Sequence, residues 1–201
     1  MKVLFVSILL LVSMHANASL IDRGNGLIYD NDLNITWLAD ANYANTSGYA
    51  SVESGNMGWG DAMSWADQLV YSGFTDWRLP SSDNCNGDAC SNSEMGHLYF
   101  NELGGVAPLS IIDNHNAGFA LFSNIQDGFY WSNTLDISTS DGAFGFNFRF
   151  GHQYSNLITV YGSAWAVRDG DVAAAPEPAT LALMSLGLIG LGRKLGNKSK
   201  H

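Results

Sequence analysis

Two stretches of the sequence are dense in oxygen ligands. Asp30-x-Asp32-x-Asn34 sets carboxylate and amide oxygens at alternate positions, the spacing with which calcium loops collect ligands. It lacks the turn glycine and the later bidentate Glu of an EF-hand. Calcium at Asp30, Asp32 and Asn34 is therefore an expectation beside a plainer one, since Asp and Asn are also ordinary turn residues. Asp83, Asn84, Asn86 and Asp88 form a second oxygen-rich stretch around Cys85 and Cys90. In an exported chain two cysteines this close are most simply a disulfide pinning a surface loop. A metal site there would want more Cys or His ligands, and His97 is the only nearby candidate.

Catalytic signatures are missing between residues 19 and 175. There is no Gly-x-Ser-x-Gly elbow, no His-Glu-x-x-His and no phosphate-binding glycine loop. His97, His115 and His152 accompany many Ser and Asp residues, but any chain of this size offers such triples. The expectation is a protein that is not an enzyme, with no catalytic residues and no resident cofactor. The six tryptophans could form a sugar-stacking platform, though large rings are more often core. Trp77, Trp131 and Trp165 lie on strand-like segments, and Trp37 and Trp65 are expected to join them. Trp59, between two glycines, is the one expected at the surface.

Both ends of the chain carry export chemistry. Lys2, the apolar run Val3 to Val12 and Ala16-Asn17-Ala18 form the three parts of a secretory signal peptide over residues 1–18. Cleavage is expected after Ala18, which implies the Sec translocon and signal peptidase as partners. At the far end, Pro176-Glu177-Pro178 precedes an uncharged, mostly apolar run from Ala179 to Gly192. Arg193, Lys194, Lys198 and Lys200 follow it. Leu181, Leu183, Leu186, Leu188 and Leu191 surround the helix, so no polar face remains for a surface helix. Fourteen residues are short for a permanent span, which takes about 20. The basic tail holds to the cytoplasmic side. The segment is expected to insert transiently in the membrane.

Residues 19–175 make one domain, with 18 acidic residues against four arginines, a net charge of −14 and no lysine. Such a field repels phosphate backbones and excludes nucleic acid as a natural partner. It would attract cations or cation-bridged polymers. Strands are expected at Gly26 to Tyr29 and Ile35 to Leu38, around a turn at 30–34. Ala62, Met63, Ala66, Leu69 and Val70 recur at helical spacing, with Gly73 as the C-cap. A second helix is expected from Glu94 to Leu103, opened by Ser91 in a capping box and stopped by Gly104. Met95, Leu98, Tyr99 and Leu103 would be its buried stripe. Phe144, Phe146, Phe148 and Phe150 alternate as in a strand, and Ala164 to Arg168 reads as the last strand. Helices early and antiparallel strands late give an α+β domain.

Two resemblances rest on these residues. Pro176-Glu177-Pro178, the Gly/Leu-rich span and the basic cluster resemble the PEP-CTERM sorting signal over residues 176–201. That resemblance implies recognition by an exosortase, a membrane-embedded, cysteine transpeptidase-like enzyme of Gram-negative bacteria, in proteins that accompany exopolysaccharide production. Gly26-Leu-Ile-Tyr-Asp30, Asp76-Trp-Arg-Leu-Pro80, Tyr130-Trp-Ser132 and Ala164-Trp-Ala-Val-Arg168 resemble the Lcl C-terminal domain, formerly a domain of unknown function. It implies one C-type-lectin-like α+β domain with two helices and a mainly antiparallel sheet, and a similar Arg-Leu-Pro turn occurs in formylglycine-generating enzymes. The cysteine loop between Pro80 and the second helix is an insertion relative to that pattern. Together the resemblances imply an envelope or extracellular-matrix protein that binds polysaccharide without catalysis. The alternatives are a self-associating structural matrix protein and an enzyme acting on exopolysaccharide.

Overall fold

The computed structural model describes residues 19–50 and 54–172. The signal peptide with Ala16 and Ala18, and the sorting segment with Pro176, Glu177, Pro178, Arg193 and Lys194, lie outside the described residues. Among the described residues no helix is long and apolar enough to cross a membrane.

Two four-stranded antiparallel sheets carry the fold. The first has strands β1 (Leu20–Gly24), β2 (Leu27–Asp30), β3 (Ile35–Leu38) and β8 (Val167–Asp169), adjacent in that order. Its turns follow from side-chain chemistry. Asn25 and Gly26 take the left-handed backbone that a tight hairpin needs, and a Cβ on Gly26 would lie 2.3 Å from the Tyr71 hydroxyl. At the β2–β3 turn, Asp30 Oδ1 accepts the Asp32 and Leu33 amides at 3.1 Å each, and Asn34 carries the positive φ. The Arg23–Asp171 ion pair ties the edge strand to the chain beyond β8.

The second sheet runs in the order β4 (Gly87–Asp88), β7 (His152–Leu157), β6 (Gly142–Asn147) and β5 (Phe129–Asp136). Gly145 leaves the space that the Phe129 ring occupies, where a Cβ would stand 2.3 Å from it. Phe144, Phe146 and Phe148 are buried as their alternation predicts, but Phe150 is 47% exposed. The chain turns through Gly151 at φ 64°, so the repeat outlasts the strand. Cys85 and Cys90 are disulfide-bonded, and β4 inside their loop extends this sheet. Gln153 holds the loop, donating to Asp83 O, Asp83 Oδ1 and Cys85 O at 2.8–3.1 Å.

The helices differ from expectation in their ends. α1 (Tyr43–Thr46) is a single turn that hydrophobic periodicity does not reveal. α2 (Trp59–Gln68) buries Ala62, Trp65 and Ala66, but it ends when Leu69 turns extended, and Val70 is exposed. Gly73 is therefore not a cap. With Ser72 it forms the left-handed corner of a tight turn closed by reciprocal Tyr71–Phe74 hydrogen bonds. The second expected helix splits into α3 (Glu94–His97) and a π-helical turn, Leu98–Glu102. Ser93 rather than Ser91 caps it, accepting the Gly96 amide at 3.1 Å, because Glu94 is drawn away to Arg78. The stripe Met95, Leu98, Tyr99 and Leu103 is wholly buried.

One aromatic core spans both sheets. Trp37, Trp65, Trp77, Trp131 and Trp165 are each at most 3% exposed, and Trp165 packs on Trp37, Phe122, Tyr130 and Phe148 with centroids 5.2–5.8 Å apart. At 150–250 Å² per ring and about 25 cal/mol per Å², five such side chains contribute on the order of 20–30 kcal/mol of transfer free energy before chain entropy. That burial accounts for the tryptophan content without a ligand.

Candidate functional site

The Asp76-Trp-Arg-Leu-Pro80 segment is the structural hub. Arg78 sits between two elements, pairing bidentately with Glu94 at the start of α3 (2.8 and 2.8 Å) and with Asp169 on β8 (3.1 and 2.5 Å). Its backbone pairs with Val167 in both directions. Burial opposes the charge, yet the bonds to Glu94 and Asp169 outweigh it and hold Arg78 more firmly protonated than a free guanidinium. Arg168 makes a parallel fork to Asp76 at 2.9 Å and lies 4.2 Å over the Phe74 ring. With Arg23 bound to Asp171, only Arg149 among the four arginines lacks a carboxylate partner within the described residues, and it lies over Phe150. Little positive charge is left to meet a ligand.

Two surface grooves hold convergent polar groups. The first, about 180 Å³, is lined by Asn56, Gln126, Asp127, Phe129, Tyr161 and Ser163. Ser163 Oγ donates to Asn56 Oδ1 at 2.8 Å, and Asp127 Oδ1 accepts Ser110 Oγ at 2.6 Å, so these planar groups are held in place. Tyr161 is 64% exposed. A ring beside fixed amides and a carboxylate offers stacking and paired hydrogen bonds, which suit vicinal hydroxyls. Trp59, expected in that role, is instead half-buried against the core, its indole donating to Ser132 O at 2.8 Å. Tyr161 stands in a turn with no periodicity, so nothing in its spacing marks it.

The second groove, about 340 Å³, is lined by Ser19, Leu20, Asn101, Glu102, Asn116 and Leu121. Glu102 joins it to an inner cluster of Asp30, His97 and Glu102, whose ligand atoms lie within 4.8 Å of one another. His97 Nε2 meets Glu102 Oε1 at 3.1 Å, and Ser19 Oγ donates to Glu102 Oε2. In a catalytic triad the imidazole stands between hydroxyl and carboxylate. Here the carboxylate stands between, so the hydroxyl faces Glu102 rather than an imidazole. Asp30 is fully buried, and burial, reinforced by the Glu102 charge, pushes its pKa above the usual value against the Leu33 amide and His97. The Trp37 indole N–H favours the ionised carboxylate as a weak, poorly aligned hydrogen bond, and neither it nor Asp30 Oδ2 has a well-aligned partner.

The remaining candidate residues are scattered. Asp30 points inward while Asp32 is exposed and Asn34 Oδ1 accepts the Tyr29 hydroxyl at 3.0 Å, so each has a separate task in the turn. Asp83 caps the cysteine loop through the Cys85 amide, and Asp88 Oδ1 meets His152 Nδ1 at 2.8 Å. His115 Nδ1 meets Ile111 O at 2.8 Å, its ring stacked on Phe119. Glu102 escaped sequence reasoning because its partners lie five and 72 residues away.

Comparison with known families gives two matches. The family model for the Lcl C-terminal domain matches residues 26–168, from the β1–β2 turn into β8. The PEP-CTERM protein-sorting motif matches residues 174–195. No curated protein and no solved structure matches the chain.

Proposed function

The chain belongs to the Lcl C-terminal domain family, and from that premise we propose that it is a non-catalytic polysaccharide-binding protein of the envelope or matrix. Its sorting motif makes it an exported, exosortase-processed, envelope-associated protein of the Gram-negative type. The observation that carries the reading is the joining of the two on one chain, with five residues between the domain and the motif. In this reading residues 1–18 are removed as a signal peptide, 19–175 form the binding domain and 176–201 act as a transient membrane anchor. A C-type-lectin-like arrangement is supported by the first sheet, where β3, next to β1 and β2 from the start of the domain, pairs with β8 at its end.

The Tyr161 groove is the binding surface in this proposal. A net charge of −14 with three of four arginines internally paired gives an anionic polymer no counterion-release advantage. The ligand is accordingly a neutral or cation-bridged glycan held by stacking and hydroxyl pairing. An acidic exopolysaccharide would need calcium or a similar ion as a bridge. Titration of the purified chain with neutral oligosaccharides tests the site. Tyr161→Ala should weaken binding at least tenfold and leave thermal stability unchanged. Equal affinity in the variant would remove this groove from consideration.

A further inference from the structure

We propose that Asp30, His97 and Glu102 form a divalent transition-metal site, distinct from the calcium turn expected at Asp30, Asp32 and Asn34. Its construction starts from the π-helical turn. In an α-helix, residues five apart are separated by roughly 140° around the axis. The wider turn at Leu98–Glu102 instead brings Glu102 beneath His97, with Nε2 and Oε1 3.1 Å apart. Single π turns of this kind recur at functional sites. Asp30 reaches the same point from the end of β2.

The second observation is the unsatisfied oxygen. Asp30 is 0% exposed, and its Oδ2 makes no well-aligned hydrogen bond, with only the equally unpaired Trp37 indole N–H acting on the carboxylate, whereas Oδ1 has two backbone amides. A buried carboxylate oxygen without a partner is costly, and a second carboxylate beside it adds repulsion. A cation among the three groups removes both problems. The side chains of His97 and Glu102 are 13% and 5% exposed, so the site is enclosed. Glu102 also borders the 340 Å³ groove, which supplies an entry path and room for water ligands.

The donor set selects the ion. One imidazole nitrogen and two carboxylates suit zinc or manganese, whereas calcium prefers six to eight oxygens. Ligand atoms around an ion at about 2.0–2.2 Å stand roughly 3–4 Å apart. The His97–Glu102 pair already meets that spacing, and Asp30 has to close by about an ångström from the 4.8 Å limit.

The test is calorimetric titration of the EDTA-stripped, purified chain with Zn²⁺ and separately with Mn²⁺. One equivalent should bind with a micromolar or tighter Kd, and calcium at least tenfold more weakly. Zinc at 100 times Kd should raise the melting midpoint by roughly 5–10 °C. Asp30→Asn keeps the Oδ1 bonds to the turn and should still fold in EDTA, yet lose zinc affinity at least tenfold. His97→Gln, on the most accessible ligand, is the second variant and should do the same. Asp32→Asn should change nothing. Failure of both metals to bind would overturn the site, pointing to a proton shared between the two carboxylates. So would zinc binding that survives both Asp30→Asn and His97→Gln, or calcium binding as tight as zinc.

Discussion

Arg78→Ala removes the guanidinium that joins α3 to β8, and the cost can be worked from the exposure of its partners. Arg78 and Glu94 side chains are 28% and 13% exposed, so their fork is a mostly desolvated pair. Breaking such a pair from one side leaves Glu94 with the Ser81 amide alone and costs about 3 kcal/mol, the low end for buried pairs. Asp169 is 79% exposed, and its bond adds less than about 1 kcal/mol. For a domain of this size, 3 kcal/mol lowers the melting midpoint by roughly 6–12 °C. Arg78→Lys keeps the charge without the fork and should lose about half as much. Thermal unfolding followed by circular dichroism, with the disulfide intact, measures both. A double-mutant cycle with Glu94→Gln should give a coupling of about 1.5 kcal/mol or more. A midpoint shift below about 2 °C for Arg78→Ala, or additive single effects, would refute the hub.

Three further outcomes are expected. Replacing Cys85 and Cys90 by Ser should cost about 2 kcal/mol, as the closed loop is short, and non-reduced mass spectrometry of the exported chain should show one internal bridge. The mature surface protein should end near Glu177 by intact mass, and recovery of a form ending at His201 would count against exosortase processing. The Arg168 hydrogen bond holds the Asp76 carboxyl below its usual pKa. Its stabilisation is therefore complete above the unfolded value of 3.8 and fades as pH falls through the lower folded one. Asp76→Asn should flatten that acid limb, and an unchanged slope would show the pair to be silent.

Local patterns carried much of the fold. β2, β3, the buried stripe of the second helix and the five core tryptophans were all legible, because period and burial coincide there. What failed were boundaries decided by tertiary partners. Glu94 abandons its capping box because Arg78, distant in sequence, binds it more strongly. Gly73 shapes a turn rather than ending a helix, since Leu69 has already left it. The candidate sites were less visible. Asp30 was singled out for its spacing to Asp32 and Asn34, but hairpin geometry sends its side chain inward to His97 and Glu102. Their meeting depends on a π turn that no periodicity in the sequence announces.

The central claim is that this domain holds polysaccharide without altering it. Incubating the purified chain with neutral and acidic glycans, with and without EDTA, and then sizing both the complex and the recovered glycan tests that directly. The account predicts retention of a neutral glycan regardless of chelator, any acidic glycan retained only before chelation, glycan length unchanged, and loss of neutral-glycan retention in Tyr161→Ala. Shortened glycan would make the protein an enzyme, and self-association with no glycan retained would make it a structural matrix protein; either contradicts the account.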